Sequence, residues 1–186
     1  MRKIGNVPFT EHGDADDINA NKGRRVRIVK EFIGRDISAL HTLDIGPANA
    51  FGRLLGIKHN TEGDLNEGVK APSRDYDLIL CSEIFEHLMN PLQVMRSIYD
   101  LLKPGGVCVL STPLANPFGY QSYAHLTEYK PDRLRRLFEY VGFEPVKMKI
   151  YCIWDWWPFM FTGIRPFFRC LFHRSQLWYL KKPCVF

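Results

Sequence analysis

In residues 22–33 the apolar side chains fall at Val26, Val29, Phe32 and Ile33. That is helical spacing, so it predicts an amphipathic helix with a basic outer face, ended by Gly34. Residues 41–46 read as a short strand running into a turn, and residues 50–55 as a short helix. Residues 56–74 are polar and turn-rich, with Gly63 and Gly68. Residues 76–81, Tyr-Asp-Leu-Ile-Leu-Cys, are nearly all apolar, as a strand covered on both faces requires.

Asn90-Pro91 marks a helix start, with Asn90 as cap, Pro91 at the first helical position and Gln93 reaching back. Val94, Met95, Ile98, Leu101 and Leu102 form its inner face. Lys103-Pro104-Gly105-Gly106 stops it and turns the chain. Residues 107–112 are a second buried strand, ended by Pro113. Pro131 opens another helix, with Asp132 in the first turn, where the dipole favours an acid. Leu134, Leu137, Phe138 and Val141 are its core stripe and Gly142 its end. Residues 144–151 and 176–180 read as strands. Strands alternating with helices predict an α/β fold with a mainly parallel sheet. No internal repeat interrupts it.

The 186 residues suit one domain, expected over 22–186, with residues 1–21 as a mobile arm. Residues 1–18 lack the apolar stretch of a signal peptide. The five cysteines (Cys81, Cys108, Cys152, Cys170, Cys184) form no CxxC pair, which fits a reducing cytoplasm. The formal charge is +5, concentrated in Lys22, Arg24, Arg25, Arg27 and Lys30, and again in Arg165, Arg169, Arg174, Lys181 and Lys182. The first cluster reads as a solvated helix face rather than a nucleic-acid surface.

Candidate chemistry starts at Leu43-Asp44-Ile45-Gly46-Pro47-Ala48-Asn49-Ala50, which follows a strand and precedes a helix. In an open α/β sheet, ligands bind beyond the carboxyl ends of strands, and a small-residue turn lets the backbone approach them. Asp44 is placed to accept a hydrogen bond from a cationic amino group.

Residues 75–88, Asp-Tyr-Asp-Leu-Ile-Leu-Cys-Ser-Glu-Ile-Phe-Glu-His-Leu, lead to Asn90-Pro91, then Leu101-Leu102-Lys103-Pro104-Gly105-Gly106 and Leu110-Ser111-Thr112-Pro113. This run closely resembles the class I S-adenosylmethionine-dependent methyltransferases, in the branch that includes the quinone-biosynthesis enzymes. His125-Leu126-Thr127-Glu128-Tyr129 and Gly142-Phe143 continue the likeness. The resemblance covers about residues 40–150 and implies a Rossmann-like methyltransferase fold. Its sheet is mostly parallel, its last strand antiparallel, and S-adenosylmethionine lies across the switch point. It implies that Asp44, Gly46, Pro47, Ala48 and Asn49 cradle the methionine part. Asp64, or else Glu62, would hold the ribose or adenine end beside Leu65, and Cys81, Ser82 and Glu83 would line the pocket. His87 and His125 are the candidate general bases. The expected reaction is methyl transfer to a small-molecule or lipid-like acceptor, with oxygen as the preferred atom.

Two departures matter. The family's turn reads Asp-x-Gly-x-Gly-x-Gly, and here it is Asp44-x-Gly46-x-Ala48-x-Ala50, with Pro47 lacking an N–H. The stretch from Gly46 to Asp77 also leaves little room for two strand–helix units, so the fold is shortened between the first and fourth strands. These departures favour the alternative of a catalytically inactive methyltransferase-like binding or regulatory protein. Glu83, Glu86, His87 and His125 resemble the divalent-metal site of small-RNA 2′-O-methyltransferases. Many relatives carry Glu-His here with no metal, so S-adenosylmethionine alone is the expected cofactor. Residues 153–174 form an aromatic insertion, including Trp154, Trp156, Trp157 and Phe159. It is too short and too charged to span a bilayer. Over residues 153–172 it suits an apolar acceptor or a peripheral contact at the inner membrane face.

Overall fold

The computed structural model describes residues 20–116, 124–152 and 174–184. Four helices and six strands appear among them, in the order α1 (Ala20–Ile33), β1 (Thr42–Asp44), α2 (Ala50–Leu55), β2 (His59–Asn60), β3 (Tyr76–Ser82), α3 (Pro91–Leu101), β4 (Leu102–Pro113), α4 (Pro131–Val141), β5 (Glu144–Cys152) and β6 (Arg174–Lys181). A single 3-10 turn, Phe85–His87, lies between β3 and α3.

The strands form one sheet in the order β2-β1-β3-β4-β6-β5. Neighbours β2, β1, β3 and β4 are parallel, and β6 runs antiparallel to both β4 and β5. Five strands therefore point one way and β6 the other. The order reverses between β1 and β3, which opens the crevice at their carboxyl ends. The expected mostly parallel sheet with an antiparallel last strand is found. So is the shortening: one two-residue strand, β2, stands between β1 and β3.

Two apolar layers hold the sheet. Leu43, Ile79, Cys81, Leu110 and Trp178 pack with Val94, Met95 and Ile98 of α3 and Leu134 and Phe138 of α4. On the other face Leu78, Leu80, Val107, Val109 and Leu177 pack with Ile28, Val29, Phe32 and Ile33 of α1 and Leu55 of α2. Burying each such Leu, Ile or Phe side chain stabilises the fold by about 2 kcal/mol. The α1 stripe anticipated from its spacing is thus the inner face. Its carboxyl end is pinned by Lys147 of β5, which donates to the Phe32 carbonyl and lies over the Phe32 and Tyr179 rings.

Local signals explain most boundaries. Asn90 Oδ1 accepts from Gln93 N at 3.2 Å and its Nδ2 donates to Gln93 Oε1 at 3.1 Å, the reciprocal cap read from the sequence. Gly142 ends α4 in the left-handed region.

Residues 56–74 are turn-rich as expected, and they also hold β2, beside which Thr61 N donates to the Asp44 carbonyl, and Leu65, buried in the core. Two expectations need correction. Lys103-Pro104-Gly105-Gly106 is not a break before β4 but a bulge within it. Tyr76 pairs with Leu102 while Leu78 pairs with Val107, so three extra residues are taken up on β4. The helix expected from residue 22 begins at Ala20, inside the stretch expected as an arm. The rest of that arm and most of the aromatic insertion lie outside the described residues. On β5, which leads into the insertion, Val146, Met148 and Ile150 are exposed. Among the described residues no helix is long and apolar enough to cross a membrane.

Candidate active site

The crevice at the β1/β3 switch point is floored by Asp44, the last residue of β1, which is 2% exposed. Its Oδ2 accepts from Asn49 Nδ2 at 3.1 Å. Asn49 also caps α2, accepting from Gly52 N at 2.9 Å. Burial pushes the Asp44 carboxyl up to about 7, against the opposing effects of the Asn49 hydrogen bond and the Arg25 charge.

The turn after Asp44 keeps glycine where the backbone demands it. Gly46 has φ +113°, and its N–H donates to Thr61 Oγ1 at 2.7 Å. Ala48 is not among the residues with positive φ, so its side chain costs no strain there. Gly52 is the second required glycine. A Cβ on it would lie 2.9 Å from Asp44 Oδ2.

Arg25 changes the picture of the basic helix. Its guanidinium turns inward to the ends of β3 and β4 instead of facing solvent. Nη2 donates to Ser82 Oγ at 2.7 Å and Ser111 Oγ at 3.2 Å, and meets Glu83 Oε1 at 3.1 Å. The group also lies 4.9 Å from the Phe51 ring centroid. Arg27 and Lys30 are exposed, as a solvated face requires.

Glu83 adopts φ +53°, a left-handed conformation that costs a non-glycine residue about 1–3 kcal/mol. It is held there by its N–H on the Ser111 carbonyl at 2.9 Å and by Ser111 Oγ donating to its Oε1 at 2.9 Å. Those contacts point its carboxylate at Arg25. The metal-ligating role sketched for Glu83 therefore fails on geometry, since it is absent from the cluster formed by its three partners.

That cluster is Glu86, His87 and His125, whose ligand atoms all lie within 4.8 Å of one another. Glu86 is buried, and its Oε2 accepts from Thr112 Oγ1 at 3.0 Å. Burial and then the Glu83 charge push its carboxyl up to about 8. The Glu86 carbonyl accepts from Leu126 N and Thr127 N, which fastens the loop carrying His125. His87 Nδ1 meets the Ala124 carbonyl at 2.8 Å, and His125 Nδ1 meets Glu128 Oε1 at 2.8 Å. An oxygen acceptor at each Nδ1 orients each ring, and His87 Nε2 lies 3.8 Å from Glu86 Oε1. The two rings are 5.2 Å apart between centroids.

The remaining expected residues scatter. Pro47 and Ala48 are exposed on the turn. Asp64 Oδ1 accepts from Asn66 N and Nδ2 in an exposed turn of its own. Glu62 forms an isolated bridge with Lys70. Leu65 and Cys81 are core residues, and burial pushes the Cys81 thiol well above its usual value. At the carboxyl end of β2, in register with Asp44, stands Asn60, with Nδ2 3.5 Å from the Gly46 carbonyl. Asn60 and Thr61 went unread in the sequence, Ser111 was read without a site role, and Arg25 was read as part of a solvated helix face. A two-residue strand has no periodicity to detect, and one inward arginine among five basic residues carries no signal of direction.

Five parallel strands with one antiparallel, a glycine turn closing the first strand and an acidic crevice at the switch point define a Rossmann-like methyltransferase fold. The comparisons agree. A family model described as a methyltransferase domain matches residues 15–148, and the chain belongs to that family. It is 29% identical over 152 residues to a ubiquinone biosynthesis O-methyltransferase of Ruegeria pomeroyi, covering 70% of this chain and 59% of that protein. It is 44% identical over 101 residues to one of Psychrobacter cryohalolentis, covering 50% of this chain and 39% of that protein. The chain thus spans about half the length of the curated relatives it matches. A SAM-dependent methyltransferase from Archaeoglobus fulgidus shares the fold, with TM-score 0.56 and 18% identity over 87% of this chain and 94% of that one.

Proposed function

We propose that the protein transfers the methyl group of S-adenosylmethionine to an oxygen of a small aromatic or lipid-like acceptor. The family and the relatives' names support the reaction class. The crevice fits the cofactor's charge, because three buried or half-buried carboxylates, Asp44, Glu83 and Glu86, face one guanidinium. A sulfonium or ammonium group there would favour the ionised form of Asp44, whose carboxyl burial alone holds near neutrality. Asp44, Gly46 and Asn49 would hold the methionine end. In this reading Asn60, in register with Asp44 at the end of β2, would hydrogen-bond a ribose hydroxyl in place of Asp64 or Glu62, which an amide does without a charge.

When bound, the cofactor supplies an electrophilic methyl, whose S–C bond breaks as the O–C bond forms. The chain's own task is to align the acceptor and take its proton. The observation that carries the oxygen assignment is the pair of imidazoles beside the crevice, each oriented by an oxygen at its Nδ1. His125 or His87 would receive the hydroxyl proton. The same cluster supports a second reading, in which Glu86, His87 and His125 hold a divalent cation that polarises the acceptor hydroxyl.

Calorimetric titration with S-adenosylmethionine, followed by transfer of a labelled methyl group to a catechol, tests the proposal. Micromolar binding that is lost in Asp44→Ala, and turnover that falls about 100-fold or more in His125→Ala with binding kept, is expected. No binding at millimolar cofactor would leave the inactive binding or regulatory protein.

A further inference from the structure

A second cluster of ring side chains lies at the amino ends of the parallel strands, away from the crevice. His41 immediately precedes β1, His59 opens β2 and Tyr76 opens β3. The two imidazole centroids are 5.2 Å apart with their planes at 87°, and the His41 ring stacks on Tyr76 at 4.2 Å. Both histidines are partly exposed. The backbone of His41 is firmly held. Its N–H donates to Asp77 Oδ2 at 2.8 Å, its carbonyl accepts from Asp77 N and Leu78 N, and Asp77 is paired in turn with Lys103. The His41 ring turns Nδ1 to the Asp75 carbonyl at 3.4 Å. His59 touches the rings of His41 and Tyr76, but among the described residues neither of its ring nitrogens is hydrogen-bonded. Tyr76 Oη is buried without a partner.

We infer that His41 and His59 bind one divalent transition-metal ion of the zinc or copper kind, at a site separate from the Glu86–His87–His125 cluster and independent of methyl transfer. Imidazole suits such ions, whereas Mg²⁺ and Ca²⁺ take oxygen ligands. The spacing fits. With a metal–nitrogen bond of about 2.1 Å and a ring nitrogen about 1.1 Å from its centroid, two imidazoles at a tetrahedral angle have centroids about 5.2 Å apart. That is the separation of these two rings. Metal-bound histidine commonly gives its other ring nitrogen to a backbone carbonyl, which is the place Asp75 takes beside His41. His59 has neither nitrogen engaged and reaches solvent, so it can present either one. Among the described residues no third Cys, His, Asp or Glu completes the pair, so water fills the remaining positions and the ion is exchangeable. The ion would tie β2 to β1. That strand has two residues and pairs with β1 alone, and its second residue is Asn60, at the crevice.

The test uses the full chain without a histidine tag, stripped of metal by a chelator and carrying His87→Ala and His125→Ala to silence the other cluster. Calorimetric titration with Zn²⁺ is expected to show one site, weakened at least tenfold when His59→Gln is added and likewise when His41→Gln is added. His59 has no hydrogen bond to lose, so His59→Gln should keep its metal-free urea midpoint. Zn²⁺ at ten times its Kd should raise the midpoint of the protein that retains His59 and leave that of His59→Gln unchanged, because only a folded-state site stabilises by binding. Should a variant fail to fold, the unsubstituted chain is treated with diethylpyrocarbonate and the modified histidines are mapped by mass spectrometry. Zn²⁺ is expected to slow modification of His41 and His59 together, at least tenfold, while Mg²⁺ at the same concentration slows neither. No binding at millimolar Zn²⁺ would overturn the inference. So would an affinity unchanged in His59→Gln, or protection of one of the two histidines without the other.

Discussion

The Arg25 guanidinium on α1 meets the Glu83 carboxylate after β3 at 3.1 Å, joining the first helix to the crevice. Both side chains are about one-fifth exposed, so the pair is partly screened yet not free to hydrate fully. Removing the guanidinium leaves Glu83 in a left-handed conformation with its charge uncompensated. Arg25→Ala is expected to destabilise the protein by about 1–3 kcal/mol in urea unfolding and to lower methyl transfer at least tenfold. Arg25→Lys should fall between, since an ammonium keeps the charge but not the planar fork that reaches two serines and a carboxylate. An alanine variant with unchanged stability and turnover would make the contact ornamental.

Asp44 carries a pH dependence of definite sign. Its carboxyl is raised by burial to about 7, whereas an unfolded aspartate titrates near 3.9. Between those values the folded state holds a proton that the unfolded state has lost, so stability falls as pH rises and levels off above about 7. Asp44→Asn removes that dependence and is expected to be more stable than the parent at pH 8, by roughly 1–3 kcal/mol. The same variant should lose cofactor affinity, because a cationic ligand binds the ionised carboxylate. Affinity in the parent should therefore rise with pH up to about 7. Urea midpoints for both proteins at pH 5 and pH 8 check this, and parallel changes in the two would refute it. Glu86, raised to about 8, contributes the same sign in both proteins and cancels in the comparison.

The Glu86–His87–His125 cluster yields a direct expectation for metal. On the second reading, titration of Mn²⁺ or Zn²⁺ into the purified protein gives one site at this cluster, weakened at least tenfold in His125→Ala. Glu83→Gln should leave it within threefold, because Glu83 points to Arg25 and Ser111 instead. Equal affinity in the parent and His125→Ala would remove the cation and leave the histidines as proton acceptors only.

The layer pattern was legible because burial writes period into sequence. The stripe of α1, the cap at Asn90 and the apolar runs of β3 and β4 each carried a local signal that the packing upheld. The Glu86–His87 pair was readable as a motif, and the structure brings His125 to it from a distant loop. What escaped were residues whose role depends on where a chain end arrives. Asn60 reaches the crevice only because a two-residue strand pairs with β1, and Arg25 only because α1 lies across the sheet with its amino end over Ser82 and Ser111. Asp64 attracted a role by its charge, but its own turn consumes it. Neither pairing nor helix direction leaves a trace in composition.

The altered glycine turn separates what a backbone needs from what a family pattern contains. Gly46 needs its φ of +113°, which an L side chain adopts only under strain. Gly52 needs its bare Cα for a different reason, since a Cβ would press on Asp44 Oδ2 at 2.9 Å, and Asp44 is buried and fixed by Asn49. Ala48 needs neither. Gly52→Ala should therefore destabilise the fold by about 1–3 kcal/mol and weaken cofactor binding by displacing Asp44. Ala48→Gly restores the family's glycine, yet it should leave cofactor affinity within threefold. It should cost about 0.4–1 kcal/mol of stability through the freer unfolded chain. Calorimetry with S-adenosylmethionine and urea unfolding on the two variants give four numbers. A tenfold gain in affinity for Ala48→Gly would show that the second glycine is required after all. A neutral Gly52→Ala would show that Asp44 can move, and that the crevice is softer than its hydrogen bonds imply.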